Sequence, residues 1–348
     1  MEVNAQMIMD MMNAWAPPYL AESWDQVGLQ VGSGTARVQK ILVSLDVTED
    51  NVDYAASHGV NMIVSHHPLL FRPIFPLDTK TRRGRIIETL IKHSIVSFAA
   101  HTNLDTAQGG VNDALAEALE LTRIKGLVPG YKEPSLKAVV YADSILAKRL
   151  SHTLKEAFFG KVSHFYVLHE EEDFTDQARL EFTVEKESLA AVKATIADIA
   201  RQPLMDVYQL AEGGKAESMG RIGELSTPLS GKEALCYVKE KLHIPFLRYC
   251  GNPDITVRRI AVLGGAGIEF FPIAKKAGAD LYVTGDVKYH EAQDAAGSGL
   301  LVADGGHFYT ERVIIPTLAK RIRNEAALRG WELEVMEDPS ARDIFSVC

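Results

Sequence analysis

The sequence has few cysteines and no long apolar run, and both features narrow the class of protein. Cys236, Cys250 and Cys348 are widely spaced and form no C-x-x-C pair. This spacing argues against a disulfide framework and a thiolate zinc site, and it favours a reducing compartment. The N-terminus has no basic segment followed by an apolar stretch, so no signal peptide is predicted. Because no uncharged apolar run approaches the roughly 20 residues of a membrane span, we predict a cytoplasmic protein without membrane association.

Basic residues are too few for a general nucleic-acid-binding surface. The 348 residues include 37 Lys and Arg against 46 Asp and Glu, a formal net charge of −9, whereas nucleic-acid binding needs a basic face. A small anionic ligand held by metal ions is compatible with this charge. Two common signatures are also absent, the G-x-x-x-x-G-K-[ST] loop and the G-x-S-x-G elbow. Their absence argues against a P-loop NTPase and a serine hydrolase.

Two blocks of the chain alternate short β-branched strands with helices, a pattern typical of an α/β fold with a parallel sheet. In the first block, strands are expected at 40–45, 60–64 and 95–100, and helices at 51–58, 84–93 and 111–121. In the second, strands are expected at 259–263, 280–284, 300–303 and 331–336, and helices at 268–276, 290–296 and 310–328. The two blocks are predicted to form one metal-binding domain.

The segment between the blocks has a different order of elements. Strands at 137–141, 163–168, 179–184 and 204–210 and helices at 144–159 and 186–200 give the order β-α-β-β-α-β, which is typical of a ferredoxin-like domain. Glu170–Asp173 is expected to turn between its central strands, and Glu212–Lys215 to form a flexible exit. The predicted organisation is residues 1–130 and 221–348 for the two halves of the α/β domain and 131–220 for an inserted α+β domain.

Histidines and carboxylates follow several of the predicted strands. Ligands bind beyond the carboxyl ends of strands in open α/β sheets, so one sheet built from both blocks is expected to bring these residues together. Imidazoles with two carboxylates suit two divalent ions ~3.5–4 Å apart. Without thiolate, such a site suits Zn²⁺, Fe²⁺, Mn²⁺, Co²⁺ or Ni²⁺. The predicted metal ligands are His66, His67, His101, Asp105, His307 and Glu311.

Each of these motifs alone has a simpler interpretation. A His-His pair or a single histidine is more often structural, so their joint placement at strand ends is what favours a metal site. Asp25 and Asp286 suit a site role or a turn and cap role equally well. Gly264–Gly267, between a strand and a helix, suits an anion cradle or a tightly packed turn.

The segment Gly285–His290 supplies the predicted catalytic residues. Asp286, Lys288 and His290 offer a carboxylate, a cation and a general acid/base candidate within one turn. The alternative for His290 is that it caps or packs a helix.

Five motifs together resemble the NIF-three-like family, also known as GTP cyclohydrolase I type 2 homologues. They occur in the family's order and cover both terminal blocks. The motifs are Trp24-Asp25-x-x-Gly28-Leu29-x-Val31-Gly32, Ser65-His66-His67-Pro68, His101-Thr102-Asn103-Leu104-Asp105, Gly285-Asp286-x-Lys288-Tyr289-His290 and Gly305-Gly306-His307-x-x-x-Glu311.

The resemblance implies a toroidal homohexamer, built as a trimer of dimers, with a dinuclear metal site facing the inner cavity. It implies that His101 is a ligand or lies directly beside the ligands, and that the other five predicted residues hold the ions. Members with an insertion carry a PII-like or CutA-like domain. Here the insertion is short and lacks the Cys-Ser-Phe and Gly-x-Phe segments of longer relatives.

Three functions are compatible with these observations. The first is a metal-dependent hydrolase acting on a nucleotide or another phosphate-bearing small molecule, with GTP cyclohydrolase-type hydrolysis as the named candidate. The second is a non-enzymatic metal-binding assembly whose inserted domain senses a ligand or docks a partner. The third, a ring that encloses nucleic acid, needs a local basic inner wall in a chain of net charge −9.

Overall fold

The structure is a computed structural model that describes residues 2–72, 76–132, 135–169, 177–200, 203–211 and 216–346. The chain divides into two compact units, one formed by Met1–Gly130 with Glu217–Cys348 and the other by Tyr131–Ala216. Both contain helices and sheets, so the fold is mixed α/β. Of the helices within the described ranges, none combines the length and apolarity that crossing a bilayer requires. The turn expected at Glu170–Asp173 and the exit expected at Glu212–Lys215 lie outside the described residues.

A five-stranded sheet forms one half of the larger unit. Its strands are β1 (Gly28–Val31), β2 (Lys40–Ser44), β3 (Met62–Ser65), β4 (Val96–Ala99) and β15 (Glu334–Glu337), and they lie in the order β1-β4-β3-β2-β15 across the sheet. β1 is antiparallel to β4, and the other neighbours are parallel.

Helices cover both faces of this sheet, which explains why β2, β3 and β4 are nearly continuous apolar runs. These helices are α1 (Ala5–Trp15), α2 (Glu49–Ser57), α3 (Arg82–Lys92) and α12 (Ile314–Arg329), and Pro18–Leu20 is a 3₁₀ helix. Ile41 and Val43 belong to the core cluster of α1 and α12, whereas Leu42 belongs to that of α2 and α3. Alternate residues of β2 therefore point to opposite faces.

A separate six-stranded sheet forms the other half of the larger unit, so the expectation of one sheet built from both blocks is wrong. Its strands are β5 (Thr122–Lys132), β10 (Ala216–Ser230), β11 (Arg248–Cys250), β12 (Thr256–Ala266), β13 (Leu281–Gly285) and β14 (Leu301–Asp304), and they lie in the order β11-β14-β13-β12-β10-β5 across the sheet. β12, β13 and β14 are parallel, but β15, from the same block of the sequence, pairs with β2 in the five-stranded sheet. Its helices are α5 (Val111–Ala118), α8 (Gly231–Lys241), α9 (Phe271–Lys276) and α10 (Tyr289–Gly297), and Ile268–Phe270 is a 3₁₀ helix.

Two short helices carry site residues. α4 (Thr102–Thr106) follows β4, and α11 (His307–Glu311) follows β14. The helix expected at 310–328 is therefore wrong at its start. Helical structure already begins at His307, and a turn at residues 312–313 separates α11 from α12. Pro316 has no N–H to bond the carbonyl of Arg312, which favours a new helix start at this point.

The smaller unit has the element order β-α-β-β-α-β around its own core, which includes Ala138, Leu150 and Phe182. Its four strands pair in antiparallel fashion in the order β7-β8-β6-β9. Asp143 caps the first helix by accepting a hydrogen bond from the Leu146 amide. The elements are β6 (Leu136–Asp143), α6 (Ser144–Ala157), β7 (Val162–His169), β8 (Gln177–Val184), a 3₁₀ helix (Lys186–Ser188), α7 (Leu189–Ile199) and β9 (Leu204–Gln209).

Candidate metal centre

The six predicted ligands meet at one place in the larger unit. They fall into three overlapping groups, and within each group the possible ligand atoms lie within 4.8 Å of one another. The overlap between groups suits adjoining ion positions better than three separate sites. The groups are His66 with His67 and His101, His67 with His307 and Glu311, and His66 with Asp105 and Glu311.

Strand ends and helix starts place these side chains. β3 and β4 are parallel neighbours, so the residues that follow them lie at the same edge of the sheet. The amide of His66 donates to the Ser44 carbonyl at 3.2 Å, and that of His67 donates to Leu45 at 2.8 Å. The loop after β3 therefore continues along β2. From the other half, His307 begins α11 and Glu311 ends it, one helical turn apart.

Each of the four imidazoles is anchored through Nδ1 by an oxygen outside the cluster. Because Nδ1 is engaged, Nε2 is the nitrogen that remains for a metal ion, the arrangement expected of metal-binding histidines. The pairs are His66 with the Ala100 carbonyl (2.9 Å), His67 with Asp46 Oδ1 (2.9 Å), His101 with Asp25 Oδ1 (2.8 Å) and His307 with Asp286 Oδ2 (2.8 Å).

Two buried polar atoms at the centre have no hydrogen-bond partner within the described part of the chain, namely His66 Nε2 and Asp105 Oδ1. They lie 3.6 Å apart, and His66 Nε2 is 3.8 Å from Glu311 Oε1. An unpaired buried polar atom costs about 1–3 kcal/mol, so its presence needs a reason. A cation coordinated by both atoms satisfies them, and nitrogen with carboxylate oxygen suits a divalent transition metal. The residues therefore fit a metal site.

A family model described as Duf34/NIF3 (NGG1p interacting factor 3) matches residues 3–343. The chain belongs to the Duf34/NIF3 family. A GTP cyclohydrolase 1 type 2 homolog from Bacillus subtilis (strain 168) is 34% identical over 344 residues, covering 92% of both chains. Among solved structures, a Bacillus cereus protein related to NIF3 is 33% identical with a TM-score of 0.91, covering 100% of this chain and 99% of that one. A Staphylococcus aureus protein is 28% identical with a TM-score of 0.86, covering 99% of each.

The imidazoles and carboxylates of this Duf34/NIF3 cluster shift one another's pKa values. Burial opposes a charge on His67, but the attraction of Glu311 and hydrogen bonds to Asp46 and Glu311 raise its pKa to about 10. Burial likewise opposes a charge on His307, yet Glu311 and Asp286 raise its pKa to about 9. Burial would raise the pKa of Glu311, but the surrounding imidazoles hold it well below its ordinary value. Glu311 is therefore the central anion of the cluster.

Asp105 differs from Glu311 because burial dominates its titration. Desolvation raises its pKa to about 6, despite the opposing attraction of His66. Asp25 shows the reverse balance, since hydrogen bonds from His101 and Thr102 outweigh burial and lower its pKa to about 2. Asp25 Oδ2 also accepts from the Thr102 amide at 3.0 Å, so it both anchors His101 and supports the start of α4.

Glycines at the end of β12 pack against the carboxylate of Glu311. A methyl group on Gly265, whose φ is +65°, would overlap Glu311 Oε1. The Gly264 amide donates to Asn112 Oδ1 at 2.9 Å, and the Gly265 amide donates to Thr310 Oγ1 at 3.0 Å. These two amides are thus committed to side chains, which favours the packing interpretation of Gly264–Gly267 over an anion cradle.

Of the three predicted catalytic residues, Asp286 contacts the cluster, through His307 Nδ1. Lys288 lines a separate cavity of about 210 Å³ together with Tyr249 and Cys250. His290 is exposed on α10 and packs edge-on against Tyr289. The structure therefore does not bring Lys288 and His290 together with the predicted ligands.

Asp46 is a site residue that was not predicted from the sequence. Asp46 lies two residues after the end of β2, and its carboxylate anchors His67. The strand-end rule that found the histidines applies equally to Asp46, so the signal was present in the sequence.

A cavity of about 800 Å³ opens beside the cluster. His67 and His307 line it, together with Asp46 and Asp286, so it adjoins the candidate ligands directly. The size is within the range of pockets that bind small molecules and cofactors. The remainder of the lining includes apolar and cationic side chains, among them Phe246, Phe308, Phe345, Arg82, Arg248 and Arg342.

Proposed function

We propose that this Duf34/NIF3 protein is a metal-dependent hydrolase that acts on a nucleotide or another phosphate-bearing small molecule. The observation that carries the proposal is the convergence of four imidazoles and two carboxylates, among which His66 Nε2 and Asp105 Oδ1 have no hydrogen-bond partner in the described parts of the chain. Two divalent ions, of Zn, Fe, Mn, Co or Ni, would be held by His66, His67, His101, Asp105, His307 and Glu311. Ions bound there would lower the pKa of water towards ~7 and so supply a nucleophile near neutral pH.

The electrostatic balance favours an anionic substrate. Of the candidate ligands, only Asp105 and Glu311 are anionic, so two divalent ions keep positive charge for direct coordination of a phosphate or carboxylate group, while Asp25, Asp46 and Asp286 lower the charge around the imidazoles. The 800 Å³ cavity beside His67 and His307 supplies room for the rest of the molecule. GTP cyclohydrolase-type hydrolysis is the named candidate, supported by the name of the Bacillus subtilis relative.

The chain's own residues have defined tasks in this proposal. Asp25, Asp46 and Asp286 hold three imidazoles with Nε2 directed into the cluster. Lys288 and His290 lie outside the cluster, and we propose that they contact substrate or transfer protons at a distance from the candidate ligands, a role that rests on the chemistry of a cation and an imidazole within one turn. Alanine substitutions at these two positions would test that role separately from metal binding.

Turnover and metal content test the hydrolase proposal. Elemental analysis of purified protein should find transition metal, and activity on a panel of nucleotides and phosphoesters should disappear with chelator and return with metal. Glu311→Gln should lower activity by more than the 10–100-fold typical of losing an outer partner of a ligand. Glu325→Gln is the matched control, since Glu325 pairs with Arg329 one turn along α12 and such partly exposed pairs are weak. Metal-loaded protein without turnover on the whole panel would count against an enzyme.

A non-enzymatic role is the second candidate, and the smaller unit favours it. Its β-α-β-β-α-β order and the strand order β7-β8-β6-β9 support a ferredoxin-like, PII-like or CutA-like inserted domain, spanning about residues 131–220, that senses a ligand or docks a partner. Calorimetric titration of the full-length protein with nucleotides would test this role. Binding that persists in chelator, without turnover in metal, would favour it over the hydrolase.

We also propose a homohexamer, a trimer of dimers, in a reducing cytoplasmic environment. The family resemblance supports the assembly, and the free cysteines Cys236 and Cys250 support the compartment. Six chains of 38.3 kDa give a particle of about 230 kDa. Light scattering coupled to size-exclusion chromatography would detect it, and a monodisperse monomer or dimer would contradict the proposal.

A further inference from the structure

A buried polar network lies directly behind Asp46, the residue that anchors His67. Its members are Ser44, Asn51 and Asp338, with exposed fractions of 1%, 0% and 9%. Asn51 Nδ2 donates to the Asp46 carbonyl oxygen at 2.7 Å and to Asp338 Oδ2 at 2.9 Å. Ser44 Oγ is 2.7 Å from each of the same two oxygens. The network therefore joins the end of β2, the first turn of α2 and the residue after β15.

The donors and acceptors of this network balance. Ser44 has one hydroxyl proton and Asn51 has two amide protons, and they face three acceptors: the Asp46 carbonyl, Asp338 Oδ2 and Ser44 Oγ itself. The Asn51 amide cannot be turned over, because its Oδ1 accepts from the Thr48 amide at 2.9 Å. A buried network in which each group is satisfied specifies a single arrangement.

His67 depends on the backbone that this network holds. Its amide donates to the Leu45 carbonyl at 2.8 Å, and its Nδ1 bonds Asp46 Oδ1 at 2.9 Å. Both contacts are with residues 45–46, the turn whose carbonyl is fixed by Ser44 and Asn51. A displacement of Asp46 would rotate the imidazole and move its Nε2, which lies 2.9 Å from Glu311 Oε2.

We infer that Asn51 and Asp338 are positioning residues of the metal centre, which fix Asp46 and thereby the orientation of the His67 ring. Asp338 is 294 positions from Ser44 in the sequence, so the C-terminal end of the fold supports a ligand near the N-terminal end. The inference rests on the proposed metal site. It adds two residues that contact neither the ions nor the substrate.

Cobalt titration of the full-length protein, followed by visible absorption, tests this role. Asp338→Asn keeps the side-chain volume but replaces one of two carboxylate oxygens, both of which accept hydrogen bonds, with an amide nitrogen that only donates. It should raise the Kd for Co²⁺ by about 10-fold, the low end of the effect of altered outer partners, and shift the ligand-field bands. Ser44→Ala, a smaller change, should raise the Kd in the same direction, and it serves as the test if Asp338→Asn does not fold.

Two controls separate positioning from general destabilisation. Ser340→Ala removes a hydrogen bond of 2.6 Å to Asp338 Oδ1 but leaves the Oδ2 side intact, so it should keep the wild-type Kd. Val238→Ala weakens the fully buried core around α8 and should lower the melting temperature without changing the Kd or the spectrum.

The outcomes distinguish this inference from the proposed function. Wild-type protein that binds no cobalt overturns both. Wild-type protein that binds cobalt, with Asp338→Asn and Ser44→Ala equal to it in Kd and spectrum, overturns the positioning role alone. An equal rise in Kd for Val238→Ala and Asp338→Asn also overturns it, because the effect would then follow stability and not the network.

Discussion

At the scale of single residues, Glu311 is the side chain on which the cluster depends most. Its carboxylate lies within 3.8 Å of His66, 2.9 Å of His67 and 3.1 Å of His307. It is almost fully buried, and its neighbours keep it ionised. A small displacement of this carboxylate would therefore alter several ligand contacts at once.

Gly265→Ala should displace the Glu311 carboxylate and so disrupt the cluster of candidate ligands. The new methyl group would overlap Glu311 Oε1, whereas Gly330 has nearly the same φ, +66° against +65°, and open space around it. We expect Gly265→Ala to lower metal affinity at least about 10-fold, an effect comparable to disturbing an outer partner, and Gly330→Ala to leave it unchanged. Titration with Co²⁺ measures both, and equal affinities in the two variants would contradict the role of Gly265.

The metal-free protein should lose stability as the pH rises. His67 and His307 have pKa values of about 10 and about 9 in the fold, against an ordinary value of 6.5. Protons therefore bind the folded state more tightly, and this contribution is complete below pH 6.5 and is lost as the pH passes through about 9 and 10. Metal-loaded protein should lack this dependence, because metal binding requires the deprotonated imidazoles. Thermal melts across this range with and without chelator check it, and identical pH profiles would contradict it.

At the scale of elements, α12 packs against the core with one face and exposes the other, so substitutions on the two faces should change the free energy of unfolding by different amounts. Leu318 is fully buried in the core shared with β2, whereas Leu328 on the same helix is 82% exposed. Leu318→Ala should destabilise the larger unit by about 2–5 kcal/mol, and Leu328→Ala by less than about 0.5 kcal/mol. Urea denaturation midpoints compare the two variants. Similar shifts for both would show that α12 is not packed as described.

Most helices and strands of the α/β blocks could be predicted because their signals are local. β2, β3 and β4 are β-branched apolar runs bounded by polar residues, and they lie where the sequence indicated. The elements that were not predicted are α1, α4, α8, β1, β5, β10 and β11. β5 and β10 contain glycines and charged residues, and they are strands because each pairs within a sheet, which no local pattern encodes.

At the scale of the whole molecule, metal binding should stabilise the larger unit specifically. All six candidate ligands lie in that unit. At a free metal concentration 100 times the Kd, linkage predicts a stabilisation of about 2.7 kcal/mol. Scanning calorimetry should show a metal-dependent transition that moves upward, and Glu311→Gln should abolish the movement. A metal-dependent shift that persists in Glu311→Gln would place the bound ion elsewhere.

The sequence by itself determined the family, the α/β character and the residue types of the site. Short motifs such as Ser65-His66-His67-Pro68 and Gly305-Gly306-His307 encode strand ends and turns, which are properties of neighbouring residues. These motifs also indicated which imidazoles and carboxylates follow strands.

Only the tertiary structure decided how these pieces combine. It divided the strands between two sheets, brought His66 within 3.6 Å of Asp105 and 3.8 Å of Glu311, and placed Lys288 beside another cavity and His290 on the exposed face of α10. It also joined Asp338 to Asn51 and Ser44. These outcomes depend on strand pairing and core packing between segments hundreds of residues apart, whose energies are set by the whole fold and leave no trace in the local pattern.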